Sequence, residues 1–312
     1  MQNKINFRPG IWGIAPEYLD AFWSQWERVR AYRADKDVRA QFETSRPEMP
    51  GLLQKIGSIG VIHISGVMMK GVDPFDAWMG GVVDTNEVSA AVDAALADPD
   101  IKAVVLVVNS PGGSADGIPD LSDKVKSLAD AKTLIAQVDG MAASAAYWVA
   151  SQASKIYSNQ LDMIGSIGVK MVLYDESKAF EQAGIKPVII DTGEFKSAGT
   201  PGTAITDSQK ADFQKIVDQY FAAFVVAVKR ARADIDLKET TTGKVYLAQE
   251  AKKLGLIDGI QSLSDTLESA NKKFNSQKNS RDRLKARLRI AEVEASFNSD
   301  NPKPKVNEGG TK

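Results

Sequence analysis

Between residues 58 and 269 the chain alternates short apolar runs with amphipathic stretches, and this region is flanked on both sides by segments of different character. Residues 59–64 and 133–138 read as strands, and residues 101–108 are apolar almost without a break, as in a strand covered on both faces. Val88, Val92 and Leu96 recur at helical spacing and stop near Asp98-Pro99. Residues 207–233 form one long helical pattern with Phe213, Ile216, Val217, Tyr220 and Phe224 on one side. Residues 167–173 and 187–190 are further strand candidates. Strands alternating with helices in this way predict βαβ units, a largely parallel sheet and an α/β fold.

The flanks divide the chain into three parts: an N-terminal helical arm (1–56), a central domain (57–270) and a charged, partly disordered extension (271–312). In the arm, Ile14, Leu19, Phe22, Trp26 and Val29 fall at helix-like spacing around Pro16, which suits a contact with an oligomer mate or partner. The extension is dominated by Lys, Arg, Asn, Ser and Glu, with a helical stretch expected over 281–297 and a Pro/Gly/Lys tail.

At 312 residues and 43% hydrophobic the chain can bury a full core. The 39 basic and 40 acidic side chains leave a net charge of -1, so no overall basic field points to nucleic acid or an anionic membrane. No stretch has the roughly 18 to 20 apolar residues of a membrane span, so neither export nor anchoring is expected and a cytoplasmic location follows. With no cysteine and one histidine, His63, a disulfide framework, a thiol nucleophile and a zinc centre all fall away, and neither metal nor organic cofactor is expected. His63 reads as an ordinary strand residue.

The same count shapes the chemistry, because a serine needs a positioned base and, imidazole aside, the usual choice is a lysine amine neutralised by burial. Ser144 lies in Asp139-Gly140-Met141-Ala142-Ala143-Ser144-Ala145-Ala146-Tyr147 and is expected in the first turn of a helix, where free amides and the dipole favour negative charge. The Ala145 amide is one candidate oxyanion donor; the plainer reading is that small residues permit close helix packing. Ser110-Pro111-Gly112-Gly113 leaves a buried strand at the sheet end where open α/β folds bind ligands, and makes the Gly113 amide a second donor or else an ordinary tight turn. Ser166, in Gly165-Ser166-Ile167-Gly168-Val169, can hold a lysine amine toward Ser144 or be a turn serine. Lys196, in Asp191-Thr192-Gly193-Glu194-Phe195-Lys196-Ser197-Ala198-Gly199, is the candidate general base or a solvated loop lysine.

Taken in order, these four motifs resemble the signal peptide peptidase A family of serine peptidases, including its bacteriophage members, over roughly residues 57–269. The resemblance implies Ser144 as nucleophile, Lys196 as general base, Ser166 as the lysine-orienting hydroxyl and the Gly113 region as oxyanion hole. It implies the spiral of βαβ units shared with Clp protease and crotonase, and homo-oligomeric rings or domes whose neighbouring subunits complete the substrate groove. The segments Gly243–Ala251 and Leu254–Asp258 resemble the family's closing helix and turn.

Membrane-bound members carry a transmembrane anchor where this chain has its Trp-rich arm, and arm and charged tail together resemble phage capsid assembly or prohead proteases. The expectation is therefore a serine endopeptidase acting on protein or peptide substrates, with capsid or portal proteins as partners. The alternatives are a bacterial cytosolic peptidase degrading signal peptides, a crotonase-like acyl-CoA enzyme, and an inactive scaffold protein.

Overall fold

The run at residues 101–108 becomes a central strand, and the computed structural model shows why it tolerates no polar alternation. The structure describes residues 11–33, 35–38, 40 and 51–272, so the charged extension from 273 onward, including the expected helix at 281–297, lies outside the described residues. The strands are β1 (Ile11–Ile14), β2 (Leu53–Ile56), β3 (Ile59–Ser65), β4 (Val67–Met69), β5 (Val82–Asp84), β6 (Ala103–Ser110), β7 (Gly112–Ser114), β8 (Thr133–Ala143), β9 (Lys155–Ser158), β10 (Met163–Gly165), β11 (Lys170–Met171), β12 (Val245–Leu247) and β13 (Gly259–Ile260). The helices are α1 (Pro16–Arg33), α2 (Pro74–Gly80), α3 (Thr85–Ala97), α4 (Ile118–Ala131), α5 (Ala145–Ala150), α6 (Ser177–Gln182), α7 (Asp207–Ala231), α8 (Leu237–Thr240), α9 (Ala248–Lys253) and α10 (Leu263–Lys272).

The main sheet has the order β12-β10-β8-β6-β3-β2, with β3, β6, β8 and β10 parallel and the two outer strands antiparallel. On β3 and β6, Ile62, Ile64, Val104, Leu106 and Val108 face the core shared with α3, α4 and α5. The alternate residues Ile59, Val61, Val105 and Val107 pack under α10, against Leu267 and Ala270. Both faces are thus covered, which is what a nearly unbroken apolar run in a parallel strand requires. The expected α/β fold with parallel βαβ units is what the chain forms.

A second, smaller sheet has the order β11-β1-β7-β4-β5. Its strand β1 comes from the arm, and α1 follows it directly across the surface of α2. Trp12, Ile14, Leu19 and Phe22 are buried together with Val67 and Val82, and Trp12 meets Trp23 edge-on at 5.4 Å between ring centroids. The arm therefore spends this apolar face on its own chain.

Three local expectations change. The strand expected over 133–138 continues to Ala143, because Gly140 adopts φ 111 and lets the chain kink without leaving the sheet. The Asp162 carboxylate accepts the amides of Gly140 (3.1 Å) and Asn159 (2.7 Å), tying the kink to the loop before β10. Asp-Gly, a turn signal in sequence, is here a strand irregularity. Of residues 167–173 only Lys170–Met171 pair as a strand. Residues 187–190 form no strand, and 188–190 are exposed, Val188 at 83% and Ile190 at 96%, since no neighbouring strand of the described chain pairs with them.

Candidate active site

Ser144 follows β8 directly, and α5 begins only at Ala145, so the serine is the N-cap residue rather than a member of the first turn. It holds φ 52 and ψ -121, a conformation that L-residues adopt at a cost of about 1–3 kcal/mol and that recurs at functional sites. Ser166 holds φ 51 immediately after β10. Among the described residues these two are the non-glycine positions with positive φ. They are also neighbours, because Ala143 and Gly165 are paired partners in the parallel ladder and each serine is the next residue.

The shape of this corner is fixed by main-chain bonds. The Ser144 amide donates to Gly165 O (2.8 Å), and the Ser166 amide donates to Lys244 O (2.6 Å). The Ser144 hydroxyl donates to Gly168 O at 3.3 Å. Ser144 is 1% exposed and Ser166 3%, so both hydroxyls are shielded from bulk water. Gly168 was not singled out by the sequence beyond its place in the Gly-Ser-Ile-Gly motif; the signal that finds it is its carbonyl on the nucleophile candidate.

Packing behind α5 is tight. Trp148 stacks on Phe224 of α7 with ring centroids 4.6 Å apart and planes within 7°. The fully buried Tyr147 donates its hydroxyl to Leu256 O (2.8 Å), and burial pushes its phenol pKa well above the ordinary value. Gln152 donates to Ala227 O (3.1 Å) and accepts from Arg230 (2.9 Å), which clamps the end of this segment to α7. A rigid support of this kind can sustain the strained φ at Ser144.

Gly113 lies on β7, between β1 and β4. A Cβ at this position would overlap Met68 O, so only glycine allows the two strands to approach. The β7 strand packs against α5, and Ser110, just before it, pairs with Ala142 of β8. Gly113 and Ala145 thus belong to the same corner as Ser144. The Ala145 amide, first in α5, is among those a helix start leaves without an intrahelical acceptor.

Lys196 is placed differently. It sits on an exposed turn, with its amide donating to Gly193 O (2.9 Å), and the structure does not bring its ammonium into hydrogen-bonding contact with Ser144 or Ser166. The turn is tied to the start of α7: Glu194 bonds Ser208 through its carboxylate and accepts from Gln209 Nε2 at its carbonyl (2.9 Å). Gln209 is also the third residue of the Thr206 capping box of α7. The lysine loop and the Ser144 helix are therefore joined through one long helix. His63 lies on β3, one strand beyond β6 from β8, and burial pushes its imidazole pKa down to about 4.

Residues 126–277 match the family model described as Peptidase family S49, a span that contains Ser144, Ser166 and Lys196. A Methanocaldococcus jannaschii protein named as a protease is 34% identical over 57% of this chain and 58% of its own length. Capsid assembly protease C of Escherichia phage lambda is 28% identical over 71% of this chain and 50% of its own. Protease 4 of Salmonella typhi is 28% identical over 69% of this chain and 34% of its own. The chain thus spans roughly a third to three fifths of these relatives, and the resemblance to signal peptide peptidase A proteins and their phage counterparts is borne out. A solved enoyl-CoA hydratase/isomerase family member is 14% identical, with a TM-score of 0.44 over 79% of this chain and 83% of its own. Among the described residues no helix is long and apolar enough to cross a membrane.

Proposed function

We propose that the protein is a serine endopeptidase in which Ser144 is the nucleophile and Lys196 the general base. The observation that carries this reading is the strained, buried Ser144 held beside Ser166 at the ends of two paired strands. Ser144 attacks a peptide carbonyl as its proton passes to neutral Lys196, and the Gly113 and Ala145 amides bind the tetrahedral oxyanion. Lys196 then protonates the leaving amine, and a water activated by the same lysine releases the acyl group from Ser144. Each oxyanion donor is worth about 10² to 10³ in rate.

For this cycle Lys196 must move from its exposed turn to the serine pair, where the Ser166 hydroxyl would orient it. Glu194, two residues before Lys196, is held to the start of α7, so the loop would have to move about this tie. Assembly with further copies of the chain, in which loops of one subunit complete the groove of the next, belongs to the same proposal and gives the exposed apolar residues Val188 and Ile190 a place to be covered.

The substrates we propose are proteins processed during phage capsid assembly, with capsid or portal proteins as partners, and a location in the host cytoplasm or an assembling particle. The similarity to a protein named capsid assembly protease supports this reading. Degradation of signal peptides by a bacterial cytosolic peptidase is the second reading, supported by the similarity to an Enterococcus faecium protein named as a signal peptide peptidase. Digestion of an unfolded protein by wild type, Ser144→Ala and Lys196→Ala tests the chemistry, and co-expression with capsid proteins tests the substrate.

A further inference from the structure

The Gly113 amide, which the proposed mechanism assigns to an oxyanion, already holds a peptide carbonyl. In the β1–β7 ladder Ile14 faces Gly112, and Ala15 N donates to Pro111 O at 2.9 Å. In an antiparallel ladder the pair beside a bond of this kind is open, and the next is bonded again. The Gly113 amide therefore donates to Gly13 O. On its other edge β1 pairs antiparallel with β11, Ile11 opposite Met171 and Trp12 opposite Lys170, two residues beyond the Gly168 carbonyl that accepts from Ser144.

Residues 11–15 thus run as an extended peptide through the slot between the oxyanion strand and the segment that follows Ser166. We propose that they are an internal pseudosubstrate: a strand of the chain itself that fills the peptide groove and must leave before another peptide can enter. This rests on the peptidase reading for its consequence on activity, but not for the occupancy. The slot holds main chain on both edges, which is how an extended peptide is bound irrespective of sequence. Side chains add selection. Trp12 and Ile14 are buried against Phe22, Val67 and Val82, while Ala15 is fully buried beside Met141 and Ala143, with Met163 and Val245 around it. The peptide class that fits is an extended segment with apolar side chains at two alternate positions followed by a small residue.

The tether explains how so short a strand competes. Pro16 ends the ladder by lacking a donor, and α1 then packs on α2, keeping residues 11–15 at high local concentration over the groove. Release of α1, by a partner or by another copy, would open the slot.

The test uses the full-length chain with Gly13→Pro, which removes the amide that bonds β7, and Ile14→Asp, which puts a charge in a buried position; circular dichroism checks the fold of each. A fluorescein-labelled peptide of residues 11–15 is added and followed by anisotropy, and amide exchange is read at Gly113 and Ser114. The expected result is at least tenfold tighter peptide binding and at least tenfold faster exchange at Gly113 in both variants than in wild type. Cleavage of an unfolded protein should rise several-fold in the variants and vanish when Ser144→Ala is added. Equal peptide binding and equal exchange in wild type and variants overturns the pseudosubstrate, even where Ser144-dependent cleavage persists. Opening of the slot without any Ser144-dependent cleavage leaves the occupancy standing and refutes the peptidase reading instead.

Discussion

Ser144 and Ser166 are adjacent because Ala143 and Gly165 pair in the β8–β10 ladder, and both serines hold positive φ there, at 52° and 51°. Two strained serines thus sit on neighbouring strand ends, both buried, with the Ser144 hydroxyl donating to Gly168 O. Neither position gains stability from its backbone, since positive φ is costly for an L-residue.

This strain predicts a difference in stability between two substitutions at position 144. Ser144→Gly relieves a conformation that Ser144→Ala keeps, so the glycine variant should be more stable than the alanine variant by about 1 kcal/mol, after allowing for the greater freedom of glycine in the unfolded chain. Urea denaturation of the pair measures it. Equal midpoints would mean that the backbone at 144 is not strained.

Gly113→Ala should be among the most damaging single substitutions in the chain, because the new methyl overlaps Met68 O and separates β7 from β4. A loss of about 3 kcal/mol or more is expected, with loss of whatever the Gly113 amide binds. Thermal unfolding checks the first part, and peptide binding by the surviving folded fraction checks the second.

Much of this was readable in the sequence. The apolar runs located β3, β6 and the first half of β8, and the small-residue motif put the serine in the first turn of a helix where the structure has it as the N-cap. What the sequence did not disclose is long-range or conformational. The strand Ile-Trp-Gly-Ile is four residues long, interrupted by glycine and stopped by Pro16, so nothing local marks it; its partners lie some 100 and 160 positions away. Positive φ at Ser144 has no signature in a residue type that ordinarily avoids it. Residues 187–190 have the composition of a strand but lack a neighbouring edge, and pairing rather than propensity decides. Lys196 was legible as a residue type and motif, while its exposed placement on a turn anchored through Glu194 was not.

His63 gives the fold a pH dependence. Burial lowers its pKa from 6.5 to about 4, so the folded state resists protonation that the unfolded chain accepts. Stability is therefore full above about pH 6.5, falls as the pH drops toward 4, and loses up to about 3 kcal/mol over that window. His63→Gln should flatten this part of the stability curve, measured by chemical denaturation at pH 4.5 and 7.

Phe224→Ala removes the stacked partner of Trp148 and with it the clamp between α7 and the Ser144 helix. A cost of about 3–5 kcal/mol is expected for so deeply buried a ring. If the variant keeps a fold, its rate of hydrolysis should fall as well, because α5 loses support; unchanged kinetics in a destabilised variant would separate the clamp from the site.

The central claim is tested most directly by following the cleavage of an unfolded protein by wild type, Ser144→Ala and Lys196→Ala, with circular dichroism confirming the fold of each. The account predicts hydrolysis by wild type and a fall of at least about 10³-fold in both variants. Equal hydrolysis by all three, or none by a chain whose groove is opened by Ile14→Asp, would contradict it.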